Sequence, residues 1–267
     1  EIAQCLVGSE MCIRDRPYTE ILKRKGCRMK IKVLIPNSGM SRSILEAREI
    51  MLSRAVSEDT QISVDCIAEG PDSIESNTDE SLAESLIIKD AIKAEKEGAD
   101  ALIIYCFSDL AVAAVRENVE IPVIGPGEVT LSAAAMLSNR FTVVTTTEGN
   151  ISRTYRRLKD SYLTRKMTSV RALNIPVAEL RENPEATKEY LERVVAEAIE
   201  EEAVDGVVLA CLGMAQYGEA IEKKYGVTVY DPSSLCAAYA EYCVRTKLRH
   251  NRRVYAKYEK GEKYGLC

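Results

Sequence analysis

The chain has 267 residues, with 36 Lys plus Arg against 41 Asp plus Glu and a formal net charge of −5. At about 150 residues per domain this length fits two domains, and the acidic balance excludes nucleic acid as a default partner, because phosphate binding needs a net basic face. The apolar share of 46% is enough for a real core, and no apolar run is long enough to span a membrane.

Nine cysteines in a chain of this length do not form a disulfide scaffold. With no secretory leader visible, they point to a reducing, cytoplasmic setting. The single histidine, His250, lies in a polar basic stretch. A Ser-His-Asp or Cys-His mechanism would rest on it alone. His-rich metal sites are excluded and no CxxC pair is present, so no metal is expected. Acid–base chemistry must fall to carboxylates, lysines, tyrosines or thiols.

Residues 1–28 show no periodic pattern, and Met29-Lys-Ile-Lys-Val-Leu-Ile-Pro36 reads as a start running straight into a strand. Cys5-Leu-Val-Gly-Ser-Glu-Met-Cys-Ile-Arg-Asp-Arg16 resembles a translated adapter read more than a protein element, so 1–28 is expected to be an artefact or a disordered extension. From there strands and helices alternate. The pattern predicts strand Ile31–Ile35, helix Ser41–Val56, strand Gln61–Ala68, helix Asp79–Glu97, strand Ala101–Tyr105, a short helix at Asp109–Glu117, strand Ile121–Ile124 and helix Glu128–Leu137. It resumes with strand Phe141–Thr145, helix Ser152–Asp160, strand Ser169–Leu173, helix Pro184–Ala203, strand Gly206–Ala210, helix Met214–Tyr225, strand Val227–Tyr230 and helix Ser233–Lys247. Such alternation predicts an α/β fold with parallel sheets covered on both faces. The last helix returns to the first unit, giving domains at 29–126 plus 232–248 and at 127–231. A solvated basic tail follows at 249–267.

The two halves repeat. Asp100-Ala-Leu-Ile-Ile-Tyr-Cys106 aligns with Asp205-Gly-Val-Val-Leu-Ala-Cys211 at an offset of 105 residues, and the first strands align at 110. Two pseudo-symmetric units would face a shared cleft lined by the carboxyl ends of their strands, where ligands bind in open α/β sheets. Each half then brings a cysteine to that cleft at the entry to a helix. The helix dipole there favours thiolate, and Ser108 or Asp109 is placed to cap. Cys236 and Cys243, seven apart on one helix, read as core.

Two thiols facing each other suit inversion of a carbon stereocentre beside a carbonyl. One thiolate removes the proton and the opposite thiol returns one, so the pair titrates as a unit. The enolate between them needs donors, and the strand-end loops supply Asn37, Ser38, Ser108, Asp109, Thr145, Thr146, Leu212 and Gly213. Glu128 reads as a cap or a ligand contact. A sensor built of two lobes has no need of paired thiols, and a thiol–disulfide protein would need the sulfurs within bonding distance.

Pro36-Asn37-Ser38, Gly70-Pro71-Asp-Ser-Ile-Glu75, Cys106-Phe-Ser-Asp109, Pro122-Val-Ile-Gly-Pro-Gly-Glu128, Arg140-Phe-Thr-Val-Val-Thr-Thr146, Val170-Arg-Ala172 and Leu209-Ala-Cys-Leu-Gly-Met214 together resemble the Asp/Glu/hydantoin racemase superfamily. The combination is most similar to its hydantoin racemase branch, which includes allantoin racemases. The resemblance runs from Met29 to about Arg245. It implies two Rossmann-like domains, homo-oligomers, and a cofactor-independent two-base racemase with Cys106 and Cys211 as the bases. Ser108 and Pro126 depart from the family pattern and bear on substrate identity. The expected substrate is a small molecule, a 5-substituted hydantoin or a cyclic ureide such as allantoin. Its C5 proton is flanked by a carbonyl and an acylated nitrogen, so a thiolate can remove it without pyridoxal phosphate. Free aspartate or glutamate ranks lower, because Arg42 is the only cation in the loops nearest the cysteines. A two-lobed, non-catalytic binding protein is the alternative from another class.

Overall fold

The computed structural model describes residues 29–159, 161–177 and 179–266, so the expectation for 1–28 lies outside the described residues. β1 (Met29–Ile35) pairs in parallel with β2 (Thr60–Cys66) and β3 (Ala101–Ile104), and β3 pairs with β4 (Val123–Ile124). The order is β2-β1-β3-β4. The second sheet repeats it as β6-β5-β7-β8, from β5 (Phe141–Thr145), β6 (Met167–Ala172), β7 (Gly206–Leu209) and β8 (Thr228–Tyr230). All four residues of β3 and of β7 are buried, as the central strands of parallel sheets covered on both faces must be.

The duplication reaches individual hydrogen bonds. The Tyr105 amide donates to the Leu34 carbonyl, and the Ala210 amide to the Val144 carbonyl, each at 2.8 Å. Asp100 accepts from the Lys30 amide at 2.8 Å, and Asp205 accepts from the Arg140 amide at 3.1 Å. These acidic residues tie the start of each central strand to its neighbour.

The helices are α1 (Arg42–Ser53), α2 (Asn77–Lys96), α3 (Val112–Asn118), α4 (Pro126–Leu137), α5 (Glu148–Leu158), α6 (Pro184–Glu202), α7 (Gly218–Tyr225) and α8 (Pro232–Thr246). Local chemistry fixes several starts. Ser76 and Asp79 form a reciprocal cap on α2, a feature worth about 1 kcal/mol. Asn183 caps α6 and Asp231 caps α8. The short helix expected from Asp109 starts only at Val112, because Asp109 and Ala111 take left-handed φ values of 54° and 58°. The helix expected from Met214 opens as a 3-10 stretch, Leu212–Tyr217, before α7 begins.

α8 packs against β1, β3 and β4 of the first sheet and against α1 and α4. Cys236 and Cys243 are buried in this packing. The basic stretch after α8 is not a free tail. Its groups satisfy the carbonyls that α3 and its exit leave unpaired. The Arg252 guanidinium donates to the Arg116 carbonyl at 2.9 Å, the Tyr258 amide donates to the Glu117 carbonyl at 3.1 Å, and His250 Nε2 lies 3.0 Å from the Val119 carbonyl oxygen. His250 is thus structural, and burial pushes its pKa down. Among the described residues no helix is long and apolar enough to cross a membrane.

Candidate active site

β3 and β7 sit at equivalent places in their sheets and end in Tyr105-Cys106 and Ala210-Cys211. Each cysteine starts a tight turn: the Asp109 amide donates to the Cys106 carbonyl at 3.0 Å, and the Met214 amide to the Cys211 carbonyl at 2.9 Å. Both cysteines line one cavity of about 400 Å³. Asn37, Ser38, Ser108, Thr145, Thr146, Leu212 and Gly213 line it too. The carboxyl ends of the central strands of both halves therefore converge on one space.

The environment of Cys106 differs from the dipole-activated thiol expected above. Burial pushes its thiol up, and the Ser108 hydroxyl, 3.3 Å from the sulfur, offsets part of that. The helix that follows starts at Val112, too far along the chain for its dipole to dominate. In the second half, Gly213 keeps space beside the other thiol. A Cβ on Gly213 would stand 3.4 Å from the Cys211 sulfur and 3.0 Å from Leu180 Cδ1.

The loop after β1 is tied down by its own polar groups. Asn37 Nδ2 donates to the Asp72 carbonyl at 3.0 Å and Ser38 Oγ to the Gly70 carbonyl at 2.8 Å. On the opposite side a directional chain ends on Thr146. Arg153, which can only donate, bonds Asn150 Oδ1 at 2.5 Å, which sets the amide orientation. Asn150 Nδ2 then donates to Thr146 Oγ1 at 2.8 Å. The Thr146 hydroxyl proton is left to point elsewhere, and the residue borders the cavity.

Asp109 is expected at the substrate and stands elsewhere. Its carboxylate accepts from the Gly127 and Glu128 amides, each at 2.8 Å, and so caps α4. A helix N-terminus offers unpaired N–H groups and a positive dipole end, which outcompete a cavity position. The cap needs a bare backbone: a Cβ on Gly127 would collide with the Phe107 carbonyl oxygen and the Asp109 carboxylate. Glu128 neither caps nor faces the cavity. It takes a two-pronged ion pair with Arg116, at 2.9 and 3.0 Å.

The cations also differ from expectation. Arg42 pairs with Glu46 and Glu49, away from the cavity. Arg48 from α1 and Arg153 and Arg157 from α5 line the cavity instead. So do Asn150 and Thr154, both buried. A signal for the α5 group is present in the sequence: residues 150, 153, 154 and 157 form a polar stripe at helical spacing directly after the Thr145-Thr146 strand end. No such signal marks Arg48.

The sequence profile described as Asp/Glu/Hydantoin racemase matches residues 31–240. The chain belongs to the Asp/Glu/hydantoin racemase family. It is 33% identical over 237 residues to a hydantoin racemase of Pseudomonas sp. (strain NS671), covering 88% of this chain and 94% of that protein. The solved allantoin racemase from Klebsiella pneumoniae superposes with a TM-score of 0.81 at 26% identity, over 87% of this chain and 94% of that one. The allantoin racemase from Pseudomonas fluorescens superposes with a TM-score of 0.80 at 30% identity, over 86% and 97%. Family and fold therefore agree: this is a racemase, an isomerase, of the two-domain type.

Proposed function

We propose that the protein inverts C5 of a 5-substituted hydantoin, or of a related cyclic ureide such as allantoin, with Cys106 and Cys211 as opposing bases and no cofactor. The observation that carries this reading is the convergence of both strand-end thiols on one cavity. About 400 Å³ is room for a small cyclic substrate.

One cysteine, as thiolate, takes the C5 proton, and the electron pair moves onto the C4 carbonyl to give an enolate. The other cysteine, as thiol, returns its proton to the opposite face. The two sulfurs have then exchanged protonation states, ready for the reverse reaction. Burial of Cys106 favours the neutral thiol, which suits it to the donor half of this cycle. Thr146, whose oxygen already accepts from Asn150, donates its proton toward the developing oxyanion. Asn37, Ser38, Ser108, Thr145 and the Leu212-Gly213 backbone complete the polar lining.

The cavity arginines remove the ground on which free aspartate and glutamate ranked lower. The cyclic substrate still stands ahead, because its C5 proton is the more acidic and the curated relative at 33% identity is a hydantoin racemase. The exposed apolar side chains of Met136, Leu137 and Tyr162 support assembly into homo-oligomers. Reliance on two reduced thiols fits the cytoplasm. The test is the optical rotation of a single-enantiomer 5-alkylhydantoin, run beside L-aspartate and L-glutamate. Decay of rotation to zero for the hydantoin is the expected result. Decay for an amino acid alone would replace the substrate class, and binding without decay would leave a two-lobed binding protein.

A further inference from the structure

Among the described residues, three guanidinium groups line the cavity, and they differ in what answers their charge. Arg153 Nη1 has the Glu80 carboxylate 4.0 Å away, while its Nη2 is bonded to Asn150. Arg157 acts electrostatically on Cys106, where a thiolate forms during turnover, and lies 5.9 Å from the Phe107 ring centroid. Arg48 differs from Arg153 in having no carboxylate at ion-pair distance among the described residues. Its Nε and Nη1, like Arg153 Nη1, are buried and have no hydrogen-bond partner among the described residues. Its Cζ sits 5.4 Å from the ring centroid of Tyr105, the residue before Cys106. An aromatic face offers a cation only its quadrupole, and buried guanidinium N–H groups without acceptors are costly to keep. Asp72, the one carboxylate among the described residues of the cavity lining, is exposed to solvent.

The missing partner should therefore arrive with the substrate. A hydantoin ring brings neutral carbonyls, and these belong near the thiols and the donors at the strand ends. A guanidinium fork matches a carboxylate in geometry as well as charge. We propose that the substrate's C5 substituent ends in a carboxylate and that Arg48 is the specificity-determining residue that receives it. The inference rests on the hydantoin racemase reading for the ring and adds the chemistry of the side chain. The substrate is then the cyclic ureide of an acidic amino acid rather than of an apolar one.

The test uses enantiopure hydantoin-5-acetic acid and its neutral isostere, hydantoin-5-acetamide, on the full chain and on Arg48→Gln. The wild type should favour the acid by more than about tenfold in kcat/KM. Arg48→Gln should lose that preference, mainly through a higher KM for the acid, so that acid and amide are then used about equally. Circular dichroism shows that the variant folds. Equal use of acid and amide by the wild type, or an equal loss on both in the variant, overturns the assignment. Calorimetric binding of the same two compounds separates the two claims. Preferential binding of the acid, lost in Arg48→Gln, supports the role of Arg48 even if neither compound is racemised, an outcome that would overturn the proposed function alone. Racemisation of both compounds with no preference for the acid overturns the Arg48 proposal alone.

Discussion

The Ser108 hydroxyl lies 3.3 Å from the Cys106 sulfur, whereas Gly213, its counterpart one repeat later, offers Cys211 no side chain. The two halves share backbone geometry at the strand ends and differ in what surrounds each thiol. Ser108 works against burial by favouring the charged form of Cys106. In Ser108→Ala that support is lost, so the Cys106 pKa rises and less thiolate forms at a given pH. For the enantiomer that Cys106 deprotonates, the acidic limb of the kcat/KM profile should move to higher pH, and activity at neutral pH should fall severalfold. A pH–rate profile of the variant checks it.

Thr146, the proposed oxyanion donor, accepts from Asn150, which Arg153 orients. Thr146→Val keeps the shape and removes the hydroxyl, so kcat should drop by about a hundredfold, the usual consequence of losing one oxyanion donor. Asn150→Ala should give a smaller loss in kcat, because the hydroxyl remains but is no longer directed. Steady-state kinetics of both variants, with circular dichroism to confirm folding, decides this.

Much of the fold was legible because its signals are local and repeated. The apolar runs of β3 and β7 and the matching Asp100…Cys106 and Asp205…Cys211 segments need only the chain itself. The thiols follow from the same repeat. The place of Asp109 is not legible in the sequence, because its partners, the Gly127 and Glu128 amides, lie across a tertiary contact that no spacing reveals. The same holds for Arg48. On α1 it reads as one more charge among Arg42, Glu46 and Glu49, and only packing turns it toward Tyr105. The stretch after α8 reads as solvated from its charge, yet Arg252, His250 and the Tyr258 amide meet the carbonyls at the end of α3.

Desolvation, with the charge of Glu128 adding to it, pushes the Asp109 carboxyl up to about 7. An aspartate raised above its unfolded value of about 3.9 holds its proton more tightly in the folded chain. Its contribution to stability is complete below about pH 4 and is lost as pH rises through about 7. The melting temperature of the wild type, relative to Asp109→Asn, should therefore decline across that window. Thermal melts of both proteins at stepped pH measure it, and a parallel pair of curves would contradict it.

Gly127→Ala should destabilise the fold by about 2 kcal/mol or more, because one of the two groups its Cβ meets is backbone and cannot swing away. Urea denaturation reads this directly. An unchanged midpoint would mean that the Asp109 cap and the Phe107 carbonyl can move apart.

The most direct test of the two-base account is C5 proton exchange in heavy water, followed separately for each hydantoin enantiomer, in Cys106→Ser and Cys211→Ser. With one thiol removed, the other can still take a proton from its own face and return a deuteron there. Each variant should thus lose racemisation by about a thousandfold or more while still exchanging one enantiomer, and the two variants should exchange opposite ones. Exchange of the same enantiomer by both variants, or near-normal racemisation by either, would contradict the placement of the substrate between the two sulfurs.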